Sequence, residues 1–287
     1  MKKIAILLFS TLPLFWSCKD KKISLHMLPE LGSEYVIETN SNQTASMVLY
    51  GQEVVFEQKI KLEHQFSVDT IYADSSMSMT GHLSKVYMEI IPVTNMGIVT
   101  SFTFDSENSE NNKGNYKAYS YIFNKFIDKP YVLKIGKHGD VISNSKSALI
   151  SEMGLDTLQE SKNALEDDFT TLFAVLPLEP ISEGSIYTRN IVSGTETKVD
   201  WVNEYLVEKI SESEVILNLN GNISNSENNG AGNDFKGNQN GKIVVDRKTG
   251  MVTSSEIDLQ LEVISKDEAA LHPKINGKVT YVCKKIK

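Results

Sequence analysis

Disulfide chemistry has almost no foothold in this chain. Two cysteines, Cys18 and Cys283, stand among 287 residues, so no disulfide framework can staple the fold. Histidine is scarce as well: His26, His64, His82, His138 and His272. None pairs with another at i, i+4 or in an H-E-x-x-H spacing, so no local zinc motif is present. There is no G-x-S-x-G nucleophile elbow, and no glycine-rich loop followed by Lys-Ser/Thr to cradle a phosphate. Positive charge is in deficit, with Lys+Arg 29 against Asp+Glu 37; this argues against nucleic acid, whose phosphates require a basic face. The expectation is a protein that is not an enzyme, with no catalytic residue, no cofactor, no metal ligand and no nucleic-acid partner.

What is present begins at the N-terminus. Lys2 and Lys3 precede an apolar run from Ile4 to Trp16, and Ser17-Cys18 leads into the polar Lys19-Asp20-Lys21-Lys22. This is the layout of a secretory signal peptide. The run is too short to cross a bilayer as a helix, which takes roughly 20 apolar residues. Phe15-Trp16-Ser17-Cys18 resembles a bacterial lipobox, with Ser17 as the small residue before the cut and Phe15 and Trp16 departing from the usual pattern. The resemblance implies cleavage between Ser17 and Cys18 and lipidation of Cys18. The expected partner is then a membrane, reached through an N-terminal lipid anchor on the periplasm-facing side of a bacterial cell envelope. Cys283, alternating with Tyr281 and Val279, reads as a buried thiol that packs as a small hydrophobe.

Most of the remaining chain alternates between apolar and polar residues. Phe56, Ile60, Leu62 and Phe66 share one phase, and Glu57, Lys59, Lys61, Glu63 and Gln65 the other. Such a period of two gives one core face and one wet face, the mark of antiparallel sheets. The same pattern recurs over 201–207, 215–219, 257–263 and 278–283. Tyr116 to Phe126 is rich in aromatics and reads as a pleated, half-buried surface. Between Asp156 and Leu176, Leu158, Leu165, Phe169, Leu172 and Leu176 follow helical spacing, and Pro177 ends the run. A shorter helix is expected over 146–153, before Gly154. Loop tips are expected over 106–115 and 220–241, where Asn, Ser and Gly dominate.

These signals divide the chain into a signal peptide (1–17), a lipidated tether (18–32), an N-terminal β-rich half (33–144), a helical connector (145–177) and a C-terminal β-rich half (178–287). The expected class is α+β, mostly antiparallel β: curved sheets or a half-barrel in two halves, with two helices between them. Gly32-Ser33-Glu34-Tyr35 and Gly184-Ser185-Ile186-Tyr187 open the halves, and a glycine hairpin lies near the end of each, at 132–143 and 243–254. On this matched order the halves read as candidate duplicates.

The lipobox, the G-S-x-Y openings and the Asp246-Arg247-Lys248-Thr249-Gly250-Met251-Val252 turn resemble those of a family of functionally uncharacterised bacterial lipoproteins of about this size. The likeness covers most of residues 33–265 and implies no activity and no site residues. In architecture the chain also resembles, more distantly, half-barrel lipoprotein carriers, whose curved sheet wraps an apolar cavity. The resulting expectation is a non-enzymatic envelope lipoprotein that holds a lipid or a hydrophobic segment on a curved sheet. Tyr116, Tyr119, Tyr121, Phe123 and Phe126 are the candidate apolar binding face. The alternative is a structural or scaffolding lipoprotein that joins an envelope protein complex.

Overall fold

A computed structural model describes residues 22–49, 51–93, 100–114, 116–146, 173, 175–193, 198–225, 233–265 and 272–287. The alternating segments form the strands β1 (Glu34–Leu49), β2 (Gln52–Ile71), β3 (Met77–Pro92), β4 (Phe102–Asp105), β5 (Tyr131–Ile135), β6 (Val141–Asn144), β7 (Ile186–Ser193), β8 (Val199–Ile210), β9 (Glu214–Asn225), β10 (Asn233–Asp246), β11 (Val252–Ser265) and β12 (Lys274–Lys285). They pair into one 12-stranded sheet in the order β6-β5-β3-β2-β1-β12-β11-β10-β9-β8-β7, with β4 on β3. Every ladder is antiparallel. The first and last strands meet at the centre of the sheet, where Tyr35 pairs with Lys285 and Ser46 with Lys274.

The sheet curls. One core gathers inward-facing residues from strands far apart in the order: Ile37 of β1, Phe66 of β2, Met79 of β3, Leu133 of β5, Val207 of β8, Leu217 of β9, Val245 of β10 and Tyr281 of β12. Each such side chain, fully removed from water, contributes about 1.5–3 kcal/mol. The edge strands are drawn together at one end by Arg189 of β7, which donates to the Asp140 carboxylate and to the His138 carbonyl in the β5–β6 turn.

The same end is closed by chain that was expected to be tether. Leu25 and Met27 are buried in the core. Ile23 pairs with Ile181, and the Met27 and Leu28 N–H groups donate to the Lys137 and Thr249 carbonyls of two hairpin turns. The reason is the alternation Ile23, Leu25, Met27, which puts three apolar side chains on one side of an extended strand.

The expected α+β class with two helices between two halves is corrected by this architecture. The described residues are nearly all antiparallel strand, with little helix, in one open sheet that the β1–β12 ladder makes continuous. The helices expected over 146–153 and 156–176 lie outside the described residues, save Lys146, Phe173, Val175 and Leu176. A helix occurs instead inside the N-terminal half: α1 (Tyr116–Phe126), where a strand was expected. The stretch 220–241, expected as a loop tip, is strand up to Asn225 and again from Asn233. The two G-S-x-Y openings take one geometry. Gly32 and Gly184 have φ of +75° and +77°, and each donates its N–H to a strand-end valine, Val68 or Val207.

Candidate functional site

The inner face is best described as rows running across the strands, one residue per strand. One row joins Tyr187, Tyr205, Leu219, Gly241, Ile257, Val279, Ser41, Ile60 and Met88. The next, one step further from the closed end, joins Arg189, Asn203, Gly221, Gln239, Leu259, Gly277, Gln43 and Gln58. The row beyond it joins Ile191, Trp201, Ile223, Gly237, Leu261, Ile275, Ala45 and Phe56. A belt of amide side chains thus crosses an otherwise apolar wall.

Glycines make the belt possible. A Cβ on Gly221 would stand 2.3 Å from Asn203 Oδ1, and one on Gly277 would stand 2.5 Å from Gln43 Cγ. The amide side chains therefore lie flat over the neighbouring strand, in space a side chain would fill. The Gln239 Nε2 donates to Asn203 Oδ1 at 2.8 Å, and Asn203 Nδ2 to the Tyr205 hydroxyl at 3.3 Å. Beside them the Tyr187 and Tyr205 rings stack at 5.1 Å. Burial pushes the Tyr205 hydroxyl up to about 12 and that of Tyr187 well above its ordinary value. Both stay neutral, and the Tyr187 hydroxyl donates to the Val175 carbonyl at 2.8 Å. Trp201 donates to Ser193 Oγ at 2.7 Å. Arg189, the cation of the belt, is held by Asp140 and by the Leu176 and His138 carbonyls.

Three further polar atoms on this face, Tyr35 Oη, Ser41 Oγ and Tyr281 Oη, are buried without a hydrogen-bond partner. His64 is buried too; desolvation, then the positive charge of Lys146, holds its imidazole well below the usual range. Burial pushes the Cys283 thiol up to about 11, so it is no nucleophile at neutral pH. The chemistry on offer is hydrogen bonding by amides and hydroxyls, set among apolar side chains.

The sequence-predicted residues fall elsewhere. Ser17 and Cys18 lie outside the described residues. Tyr116 and Tyr119 lie on α1, but their side chains are outside the described set. Tyr121 is 60% exposed, with the Lys125 ammonium 4.3 Å above its ring. Phe123 and Phe126 are buried with Leu83, Val86, Phe102 and Phe104 in a second core. The stretch is a helix rather than a strand, and of its aromatics Tyr121, Phe123 and Phe126 have described side chains. Their spacing along a helix sends Phe123 and Phe126 inward and Tyr121 to water. Among the described residues no group of three or more His, Cys, Asp and Glu side chains is placed to hold a metal ion. The acidic loop after β4 satisfies itself: Asp105 accepts from the Glu107 and Asn108 N–H groups and from Asn111 Nδ2. The sequence reading does not find the belt: Gln239 falls in the expected loop tip 220–241, and Asn203 and Gln43 are given no role there. The signal was a polar residue in the apolar phase, as in Trp201-x-Asn203-x-Tyr205-x-Val207.

The outer face is largely polar and charged, with Ile186, Val192, Val202 and Leu206 exposed toward the β7 edge. Lys278 pairs with Glu256, Lys242 with Glu208, and Lys284 with Glu38. An open groove of about 780 Å³ on this face is lined by Asn42, Glu57, Lys59, Asn240, Asp258 and Lys278, among others. Charge on the outside and apolar rows on the inside reverse the pattern of a barrel embedded in lipid. No helix among the described residues is long and apolar enough to cross a membrane.

No curated protein matches the sequence. Among solved structures, the fold is similar to lipovitellin, in a structure describing its lipid–protein interactions: TM-score 0.53 at 8% identity, over 89% of this chain and 25% of that one. The chain spans only that quarter of the lipovitellin chain. It is also similar to the translocator domain of the autotransporter NalP from Neisseria meningitidis (TM-score 0.37, 8% identity, 88% of this chain, 89% of that one). An outer membrane channel from Pseudomonas putida F1 matches at TM-score 0.29 and 5% identity, over 90% of this chain and 97% of that one. In sequence, residues 74–252, which run from the β2–β3 turn through the belt strands β8, β9 and β10 to the start of β11, match a family of unknown function, DUF6263; with more than half of its length inside that match, the chain belongs to this family.

Proposed function

We propose that this protein is a non-enzymatic lipoprotein of a bacterial cell envelope, and that its curled sheet holds a lipid or acyl chain against the inner face. The observation that carries the reading is the continuity of that face. Past the packed end, the inner rows go on with side chains that are only half-buried: Ile60, Val279, Leu261 and Ile275. A wall of this kind gains about 25 cal/mol for each Å² of apolar surface that a ligand removes from water. The likeness in fold to lipovitellin, in a structure concerned with lipid–protein interactions, supports the same reading. Cys18 would carry the anchor, each buried acyl CH₂ adding about 0.8 kcal/mol of membrane affinity.

Trp201 reports on this wall, since the other tryptophan, Trp16, belongs to the leader. A fatty acyl probe brominated along its chain should quench Trp201 fluorescence saturably. Leu261→Glu, three row positions from Trp201 on the same face, should weaken the quenching at least tenfold. Absence of quenching, together with lipid-free protein in native mass spectra of material from its own membrane, overturns the reading.

The second reading, a scaffolding lipoprotein, draws on the edge strand β7, where Ile186 and Val192 are 62% and 54% exposed. An exposed edge of this kind is a template for pairing with another chain. A Thr188→Pro variant that keeps its acyl-probe binding but loses membership in an envelope complex would favour it.

A further inference from the structure

We infer that the ligand of the inner face carries an uncharged, oxygen-bearing head, as an acylglycerol does, seated where the orphaned hydroxyls of Ser41 and Tyr281 adjoin the amide belt. The inference rests on the acyl-binding reading above and names the class of lipid.

The two hydroxyls stand on adjacent strands. Tyr281 of β12 pairs with Thr39 of β1, and Ser41 is the next inward residue along β1. Both oxygens are buried with no hydrogen-bond partner. The Cys283 thiol lies beside the Tyr281 hydroxyl, but a thiol is a weak partner that leaves the hydroxyl's capacity largely unused. Ser255, also buried, pairs with Tyr281 from the other side. One row further on, Gln43 and Gln58 pair across β1 and β2, in line with the bonded Asn203–Gln239 couple. Half-buried Ile60 and Val279 flank Ser41 in its row. Buried polar atoms in native proteins are almost always satisfied, so two orphans on one wall mark a place where another molecule supplies the partner.

The charge of that molecule follows from the wall. Arg189 is bound by Asp140 and two carbonyls. Lys146 lies over the Tyr131 ring and has further interactions of its own. His64 is buried and kept neutral. Among the described residues at these rows no cation is left over for a carboxylate or phosphate, and an unpaired buried anion is very costly. Hydroxyl and ester oxygens, by contrast, suit amide and hydroxyl partners that donate and accept alike.

The test uses the full chain purified from membranes and two probes with the same brominated acyl chain. One is a monoacylglycerol; the other is the free acid at a pH where its carboxyl is ionised. Trp201 quenching reads both. The acylglycerol should bind about tenfold or more tightly than the acid. Tyr281→Phe and Ser41→Ala should each cost it about 3- to 10-fold, the worth of one hydrogen bond, and leave the acid unchanged. Removing an orphaned hydroxyl should not harm folding, and an unshifted thermal melt of either variant confirms it. Equal quenching by both probes, or affinities indifferent to both substitutions, overturns this inference while the acyl-binding reading stands; hydroxyls that bond to water only would give the second result. Quenching by neither probe overturns both.

Discussion

Single residues decide whether the inner wall can exist. Gly221 is the clearest case, because a Cβ there would meet Asn203 Oδ1 at 2.3 Å and Gln239 Cγ at 2.9 Å. Gly221→Ala should cost about 1–3 kcal/mol, as overpacking does, seen as a lower urea midpoint. In an Asn203→Ala background the same change should cost markedly less, since the clashing oxygen is gone. His64 makes a second prediction, one of pH. Its folded pKa lies well below the ordinary imidazole value, through burial first and the charges of Lys146 and His82 next. The stability it contributes is therefore whole above the unfolded value. It is lost as pH falls, because only the unfolded chain then takes the proton, at about 1.4 kcal/mol per pH unit. Between pH 7 and 5 the urea midpoint should fall, and His64→Asn should flatten that fall. His138, lowered by burial and by His26 nearby, adds a smaller slope of the same sign. At this scale the sequence was legible where a residue obeyed its phase, as Phe66 and Cys283 do. It was opaque at Asn203 and Gln239, because a polar residue in an apolar phase is explained only by the partner across the strands.

At the scale of elements, the segment 22–31 and helix α1 are where local reading and packing part. Gly250 shows how the segment is seated: its φ is +68°, and a Cβ would stand 2.1 Å from the His26 carbonyl oxygen. Gly250→Ala should therefore lift residues 22–31 from the closed end, with strain of about 1–3 kcal/mol. Limited proteolysis should cut near His26 while the far-UV spectrum of the sheet persists. Arg189 ties β7 to the β5–β6 turn. Arg189→Leu leaves the Leu176 and His138 carbonyls unpaired, at about 1–3 kcal/mol for each that stays buried, and should raise hydrogen exchange in β6 and β7 first. Helix α1 was legible in principle. Tyr116, Tyr119, Phe123 and Phe126 recur at intervals that suit a helix, but aromatic richness invited a strand assignment. The structure settles it by burying Phe123 and Phe126 against β3 and β4.

For the whole molecule, the decisive ladder is β1–β12, which fastens the two ends of the chain at the middle of the sheet. Deleting residues 274–287 should leave two unpaired strand edges in the centre of the inner face, and such edges aggregate. The truncated chain should elute as aggregates in gel filtration, whereas trimming only Ile286 and Lys287 should not. The proposed anchor belongs to this scale as well. Cys18 precedes Lys22, the first described residue, by so little chain that the closed end would sit within on the order of 15 Å of the membrane. Cys18→Ser should move the protein from the membrane to the soluble fraction, and retention on the membrane would refute the anchor.

Period-two alternation determined most strands, from residues a few positions apart, because a pleat sends successive side chains to opposite faces whatever lies beyond. The acidic balance was an equally local fact, and the expectation of export rests on local sequence too. Tertiary structure alone decided which strands are neighbours, that both ends of the chain meet at the sheet centre, and that amides from β1, β2, β8 and β10 fall in one row. Pairing register between strands far apart in sequence depends on long-range burial and hydrogen bonding, and no window along the chain contains both partners.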